Sequence, residues 1–339
     1  MKCLLGLGAG RLPTPFDLIA EFTGHGKKAG INQDTIAEAC KAAHRAMMRW
    51  LKKDAAGKKS GKPRRKSRRN KVTSLTYGLA SGVALPVKHR VRVPGFGKIR
   101  CSKFGDVPEG KIKGGRLVKR ASGYYFQFVI DAEHTQEVKP GAPAVGIDPG
   151  FKTLLTLSDG IKFENPRELR KTEKRLAQAQ RGGNKGLTTR LQERAKRQRR
   201  DRNHKISHAV VKNYSSIFYS DDSFKAMQRH FGKSVNEAGL SDLIRMLAYK
   251  ALSSGRLIQA VSNYFSTQVC SACGARTGPK GVAELGVREW TCRACGARHD
   301  RGVNAARNTL ISGQGMATGV KASLRSERDA KTRAYVPTP

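Results

Sequence analysis

Acidic residues are scarce: the 339-residue chain carries 26 Asp and Glu against 66 Lys and Arg, a formal net charge of +40. So one-sided a balance raises self-repulsion in the compact state, and a polyanionic partner, foremost nucleic acid, explains it most economically. Long apolar runs are missing too. With no stretch of about 18 apolar residues and no lipidation motif, a membrane partner is set aside. The opening MKCLLGLGAGRLP has a short apolar core without a clear cleavage site, so it reads as strand or linker and the protein as cytoplasmic. A disulfide framework is absent as well. Of seven cysteines, Cys3, Cys40 and Cys101 are scattered singly and the other four are paired at close spacing, a pattern that fits a metal site in a reducing compartment.

What is present begins with length. At 339 residues and 38% hydrophobic content, two or three structural units are expected, each with its own core. INQDTIAEACKAAHRAMMRWLKK sets Ile36, Cys40, Ala43, Met47 and Trp50 at helical spacing after an Asn32 or Asp34 cap. Residues 58–71 then carry nine basic side chains and no acid. Alone, such a run is as readily a solvated linker; with a nucleic-acid partner it becomes a backbone clamp through Lys62, Arg64, Arg65, Lys66, Arg68 and Arg69.

From about residue 79 to 132 apolar and basic residues alternate between Gly and Pro punctuation, the pattern of an antiparallel barrel or meander. Tyr124, Tyr125 and Phe126 are expected in its core, not as base-stacking platforms. APAVGIDPGFKTLLTLSDG follows. Val145, Gly146 and Ile147 form a buried strand that carries Asp148 into a sheet, where a carboxylate needs a cation or donors to satisfy it. Against this stands the plainer reading of a turn-initiating Asp before Pro-Gly.

Residues 165–213 read as a helical hairpin broken at RGGNKG, with Leu169, Leu176 and Leu191 on apolar stripes. Its dense basic surface, including Arg194, Lys196, Arg197, Arg199 and Arg200, suits a nucleic-acid-facing helix pair. SSIFYSDDSF is a short strand ending at Asp221 and Asp222, SDLIRMLAYKALSSG a helix closed by Gly255, and RLIQAVS another strand. Strands alternating with helices predict an α/β sheet with carboxylates near its strand ends.

The sharpest local signal is Cys270-x2-Cys273 and, eighteen residues on, Cys292-x2-Cys295. Two knuckles at this spacing offer four thiolates to one structural zinc, leaving no open position for catalysis. His299 is expected at the surface.

VGIDPGFKTLLTLSDG, SDLIRMLAYKALSSGRLIQAV, STQVCSACG and CRACGARHDRGVNAARN, in this order around a basic hairpin, resemble the TnpB (OrfB) proteins of bacterial insertion sequences and the related type V (Cas12-like) CRISPR effectors. The likeness covers about residues 88–310 and is specific in combination. It implies a multi-domain α/β protein: an N-terminal helical and basic recognition region (1–78), a β-barrel wedge-like domain (79–140), an RNase H-like (RuvC) domain (141–262) with the hairpin at 165–213, an inserted zinc ribbon (263–300), a final RuvC helix (301–312) and a disordered tail (313–339). It also implies a prokaryotic, nucleoid-associated setting, a guide RNA and double-stranded target DNA as partners, with base pairing supplying sequence discrimination. Oligomeric state is not implied.

RuvC hydrolysis uses two divalent ions, and hence three or four close carboxylates. By the resemblance, Asp148 matches the first; the family's second is a Glu whose nearest counterpart here is Asp221; its third is the second Asp of DRDxNAA, where this chain has Gly302. Asp300 survives two residues earlier, in a structural role beside the ribbon. Glycine has no ligating side chain, and shortening Glu to Asp withdraws a ligand by about one methylene. Two changes in three predict an RNA-guided DNA-binding protein with a degenerate RuvC site, acting by occupancy as a repressor and needing Mg only if cleavage survives. The rival readings are an active endonuclease rebuilt on Asp148, Asp221 and Asp300, a basic RNA-binding or ribosome-associated zinc-ribbon protein, and a transposase.

Overall fold

The computed structural model describes residues 13–25, 30–53, 57, 60–63, 73–78, 82–87, 89–102, 109–132, 141–222, 224–280 and 284–317. They fall into two compact units, 1–133 and 134–339. No helix among the described residues is long and apolar enough to cross a membrane.

In the first unit, α1 (Pro15–Phe22) opens with a capping box between Thr14 and Asp17, which satisfies two otherwise orphaned amide groups. Helix α2 (Gln33–Leu51) is capped by Asn32, whose side chain accepts from the Asp34 amide, and buries Thr35, Cys40 and Met47. Lys62 follows it and lies 5.5 Å over the Trp50 ring. Arg64, Arg65, Lys66, Arg68 and Arg69 lie outside the described residues.

The strands of this unit are β1 (Ser74–Tyr77), β2 (Arg90–Val93), β3 (Gly97–Arg100), β4 (Lys111–Arg120) and β5 (Gly123–Asp131). They build an antiparallel sheet in the order β1-β4-β5 and a separate β2-β3 hairpin. Among the described residues this is two packed layers, not a closed barrel, and β1 precedes the boundary expected at 79. The cause lies in alternation: Val91 and Val93 are buried while Arg90 and Arg92 are exposed, so the hairpin lays one apolar face on the sheet around Tyr77, Leu117, Phe126 and Phe128 and buries it there.

The second unit contains β6 (Ala144–Pro149), β7 (Thr153–Leu157), β8 (Lys162–Glu164), α3 (Glu168–Arg181), α4 (Lys185–Asn213), β9 (Ser216–Ser220), α5 (Phe224–Ala238), α6 (Leu240–Ser253), β10 (Leu257–Val261), β11 (Glu289–Thr291), β12 (Arg298–Asp300) and α7 (Arg301–Ala317). Its five-stranded sheet has the order β10-β9-β6-β7-β8. The hairpins β6-β7 and β7-β8 are antiparallel, whereas β9 runs parallel to β6 and β10 parallel to β9. Central β6 is covered on both faces. Val145 and Ile147 join Val210, Val211, Leu243 and Leu247 of α4 and α6 in one core. Gly146 faces the other way: a Cβ there would stand 2.0 Å from the Ala306 carbonyl oxygen, so only glycine lets α7 lie on the strand.

The hairpin α3-α4 turns at Gly183, which has φ +64°, and restarts at Asn184, whose side chain accepts from the Leu187 amide. Helix α7 reaches Ala317, past the expected end at 312. The missing side chain of Gly313 makes room for the Phe218 ring, whose Cδ1 lies 2.2 Å from where a Cβ would sit. Residues 318–339 lie outside the described residues.

Arg202 binds these helices together. It pairs with Glu168 at 2.8 Å, each side chain 11% exposed, and donates to the Ala238 carbonyl at 2.7 Å. Arg202→Ala is expected to cost about 3–5 kcal/mol by stranding a buried carboxylate, read as a shift in the urea midpoint. A cost near zero would show that the pair carries no stability.

Candidate functional site

Alternation along β6 puts Asp148 on the face of Gly146, the one α7 covers, at the strand end where α7 begins. Asp148 pairs across the ladder with Thr156 of β7. Both border a cavity of about 770 Å³ shared with Lys162, Glu237, Arg288, Asp300 and Gly302. Burial, then the neighbouring Asp222 carboxylate, push the Asp148 carboxyl up to about 8, against the pull of Arg301 and Arg288. The strand thus presents a carboxyl that holds its proton near neutrality in the absence of a bound cation.

The structure brings Asp222, not Asp221, to Asp148. Asp221 continues the strand pairing, donating its amide to the Val261 carbonyl, and its side chain is exposed. One residue on, the side chain turns to the opposite face. Asp222 accepts from Ser220 Oγ at 2.7 Å and from Asn263 Nδ2 at 2.6 Å. Burial still raises its pKa above the ordinary carboxylate value, against these two bonds.

Asp300 caps α7. Its Oδ1 accepts from the amides of Gly302 and Val303, both at 3.0 Å, and its Oδ2 meets Lys162 Nζ at 2.6 Å. Burial acts to raise its pKa, but Lys162 and the two amides outweigh it and hold the carboxyl below its ordinary value. A helix N-terminus favours such an anion. Gly302 adds no ligand. A Cβ at this position would lie 3.0 Å from Thr156 Oγ1 and 3.3 Å from its Cγ2, so β7 already occupies part of the room a side chain would take.

Sequence reasoning missed Glu237, a buried carboxylate on the same cavity. It accepts from the Arg170 amide at 3.0 Å and pairs with Arg170 Nε at 3.1 Å, capping α3 from α5. Of the expected nucleic-acid contacts on α4, Arg194, Lys196 and Arg200 are exposed. Arg197 pairs with Glu193 at 2.9 Å. Arg199 is half-buried, its guanidinium donating to the Asn236 carbonyl.

Cys270, Cys273, Cys292 and Cys295 converge. Their sulfurs all lie within 4.8 Å of one another, with Cys270 and Cys295 at 3.8 Å and Cys273 and Cys292 at 3.7 Å. A tetrahedron with metal–sulfur bonds of about 2.3 Å has edges of about 3.8 Å, so the set fits zinc. Gly274 and Gly296, at φ +78° and +73°, make the two knuckle turns that only glycine adopts freely. The four cysteines are, among the described residues, the one group of three or more ligand side chains at such mutual distances.

His299, expected at the surface, is 6% exposed. It packs on Trp290 with ring centroids 4.7 Å apart, and its Nε2 lies 3.0 Å from Cys270 Sγ. Burial, then Arg307, lower its pKa, so a neutral imidazole is positioned to donate to the sulfur. Such a bond orients a ligand without being one. His299→Phe is expected to weaken metal affinity by about 10–100-fold, measured by competition with a chromophoric chelator; an unchanged affinity would reduce His299 to packing. Asn304 and Asn308 of α7 reach back to the ribbon, each donating to the Ser266 and Val269 carbonyls at 2.7–3.2 Å.

Residues 127–229 match the OrfB_IS605 family, described as "Probable transposase", and residues 241–309 match the Cas12f1-like TNB domain. A Streptomyces pristinaespiralis protein named "Putative RNA-guided DNA endonuclease" is 32% identical over 245 residues, 67% of this chain and 60% of that protein. Escherichia coli (strain K12) "Putative RNA-guided DNA endonuclease InsQ" is 27% identical over 308 residues, 82% of this chain and 74% of its own length. The chain therefore spans less than two thirds of the Streptomyces relative and about three quarters of InsQ. Among solved structures, a Cas12f1–sgRNA–target DNA complex aligns at TM-score 0.41 and 12% identity over 87% of this chain and 90% of that one.

Proposed function

Because the chain belongs to the TnpB/Cas12 family, we propose that it is an RNA-guided DNA-binding protein with a degenerate RuvC-like site. It binds target DNA beside a short protein-read motif and acts by occupancy, as a repressor does. The sheet order β8-β7-β6-β9-β10, three antiparallel strands followed by two parallel ones, supports the RNase H-like reading. The net charge of +40 supports a nucleic-acid partner, and the thiolate tetrahedron supports structural zinc.

One observation carries the loss of cleavage. Position 302 is Gly, and the nearby Asp300 spends its oxygens on two amides and Lys162. Two-metal hydrolysis needs carboxylate oxygens free to bridge ions. Asp148 and Asp222 remain, the latter accepting from Ser220 and Asn263. A second reading, an active Mg-dependent endonuclease, is favoured by Glu237, a buried carboxylate on the same cavity. Its commitment to Arg170 speaks for capping instead.

The test is to purify the chain with its own genomic neighbourhood, sequence the RNA that accompanies it, and measure binding to DNA matching that RNA. Guide-directed binding supports the proposal. Binding indifferent to guide sequence contradicts it and favours a plain basic RNA-binding protein.

A further inference from the structure

We infer that Lys162 is a built-in counter-ion: its ammonium takes the place of a divalent ion and ties the edge of the five-stranded sheet to the start of α7. The inference deepens the reading of a degenerate site and rests on it. Strand register supplies the first observation. Asp148 of β6 pairs with Thr156 of β7, and Thr156 pairs in turn with Lys162 of β8. Directly opposed residues share a face, with Cβ atoms about 4.5–5.5 Å apart, so an acid, a hydroxyl and an amine form one row across three strands. That row lies on the face that α7 covers.

The beginning of α7 meets the row residue by residue. Thr156, 5% exposed, has its Oγ1 3.0 Å from where a Cβ of Gly302 would sit. Lys162 meets Asp300, Nζ to Oδ2 at 2.6 Å. The carboxylate is held in place before the amine arrives, because its Oδ1 accepts from the Gly302 and Val303 amides. An ordinary surface bridge orders two mobile side chains and gains little from it; here only the lysine has to be ordered. Since β8 is the rim of the sheet, a long flexible stem with a compact charge at its end suits the reach.

The charges agree with the positions. Arg288 and Arg301 both pull on Asp148, and with Lys162 they set three protein cations against the three carboxylates Asp148, Asp222 and Asp300. Divalent ions are held by oxygen ligands whose negative charge is in excess. No excess is left here, so the residues present do not fit a pair of metal ions. The lysine closes α7 onto the sheet in their stead.

The experiment is Mn²⁺ binding to the full chain, loaded with zinc and freed of nucleic acid, at neutral pH, read from the electron-spin resonance of the free ion. Lys162→Gln and Lys162→Met should each bind Mn²⁺ at least about ten-fold more tightly than the parent, because a like charge has left the site. Lys162→Arg keeps that charge and should match the parent. Glutamine retains a donor for Asp300, which keeps the test open should the methionine variant fail to fold; circular dichroism verifies folding. Adding Asp148→Asn to Lys162→Gln should abolish the gain, which places the ion at this row. A purely structural lysine would lower stability on replacement and leave Mn²⁺ affinity where it was. Equal affinity in the parent and Lys162→Gln overturns the inference, as does a gain that Lys162→Arg shares or that survives Asp148→Asn. Failure of the wider proposal looks different: guide-directed DNA binding would be missing, while the Mn²⁺ result, taken on the chain without guide or target, would stand.

Discussion

Cys292→Ser is expected to empty the ribbon of zinc and unfold it. Structural zinc contributes roughly 10–16 kcal/mol of apparent binding free energy to small ribbons, far more than the core available to residues 263–300. Among its described residues that region offers only short strands, β11 and β12, of three residues each. Cys292 is buried, and Thr277 Oγ1 donates to its sulfur at 3.3 Å, a bond that chiefly helps lower its thiol to about 6. A serine there leaves three thiolates and a poor fourth ligand. Metal analysis should fall from one zinc per chain to none, and limited proteolysis should cut within 263–300. Loss should spread to α7, because the Ser266 and Val269 carbonyls that accept from Asn304 and Asn308 belong to the ribbon. Full zinc retention with an intact ribbon would contradict the assignment.

The second large effect concerns Asp148. In metal-free buffer its carboxyl is raised from 3.8 to about 8 in the folded chain, so folding takes up a proton between those values. Stability contributed at this position is therefore fully present near pH 4 and drains as pH rises through 8. Asp148→Asn removes the ionisation. The variant should match the parent near pH 4 and exceed it by about 2–5 kcal/mol near pH 9, the upper bound of about 1.36 kcal/mol per unit being reduced by cavity water. Paired urea titrations across that range give the result. A difference that does not change with pH would mean the carboxyl is solvated or already paired with a cation.

Legibility followed how local each cause is. The cysteine spacing fixed the knuckles because each pair of ligands and its glycine lie within a few residues of one another. The β6 strand and the break at Gly182–Gly183 were equally visible, each resting on side chains that act where they stand. What escaped depended on register or on distant partners. Asp221 and Asp222 are neighbours in sequence, and only strand register decides that Asp222 faces Asp148. His299 looks like a surface residue until Trp290 and Cys270 close over it. Gly313, expected to open the tail, continues α7 because Phe218 takes the space a side chain would fill. Tyr124, expected in the core but 67% exposed, failed in the opposite sense, because alternation gives the face of a side chain but not how far its cover extends. Glu237 carries no motif at all, and its role appears only with α3 packed against it.

The most direct test of a binder that does not cut is a single reaction: the protein–RNA complex with guide-matched duplex DNA in Mg, scored at once for bound and cleaved DNA, beside Asp148→Ala. The account predicts guide-dependent binding, intact DNA, and no difference between the two proteins in the cleavage channel. Cleavage by the parent chain that Asp148→Ala abolishes would contradict it, and would make Asp148, with Asp222 or Glu237, part of a working nuclease despite Gly302.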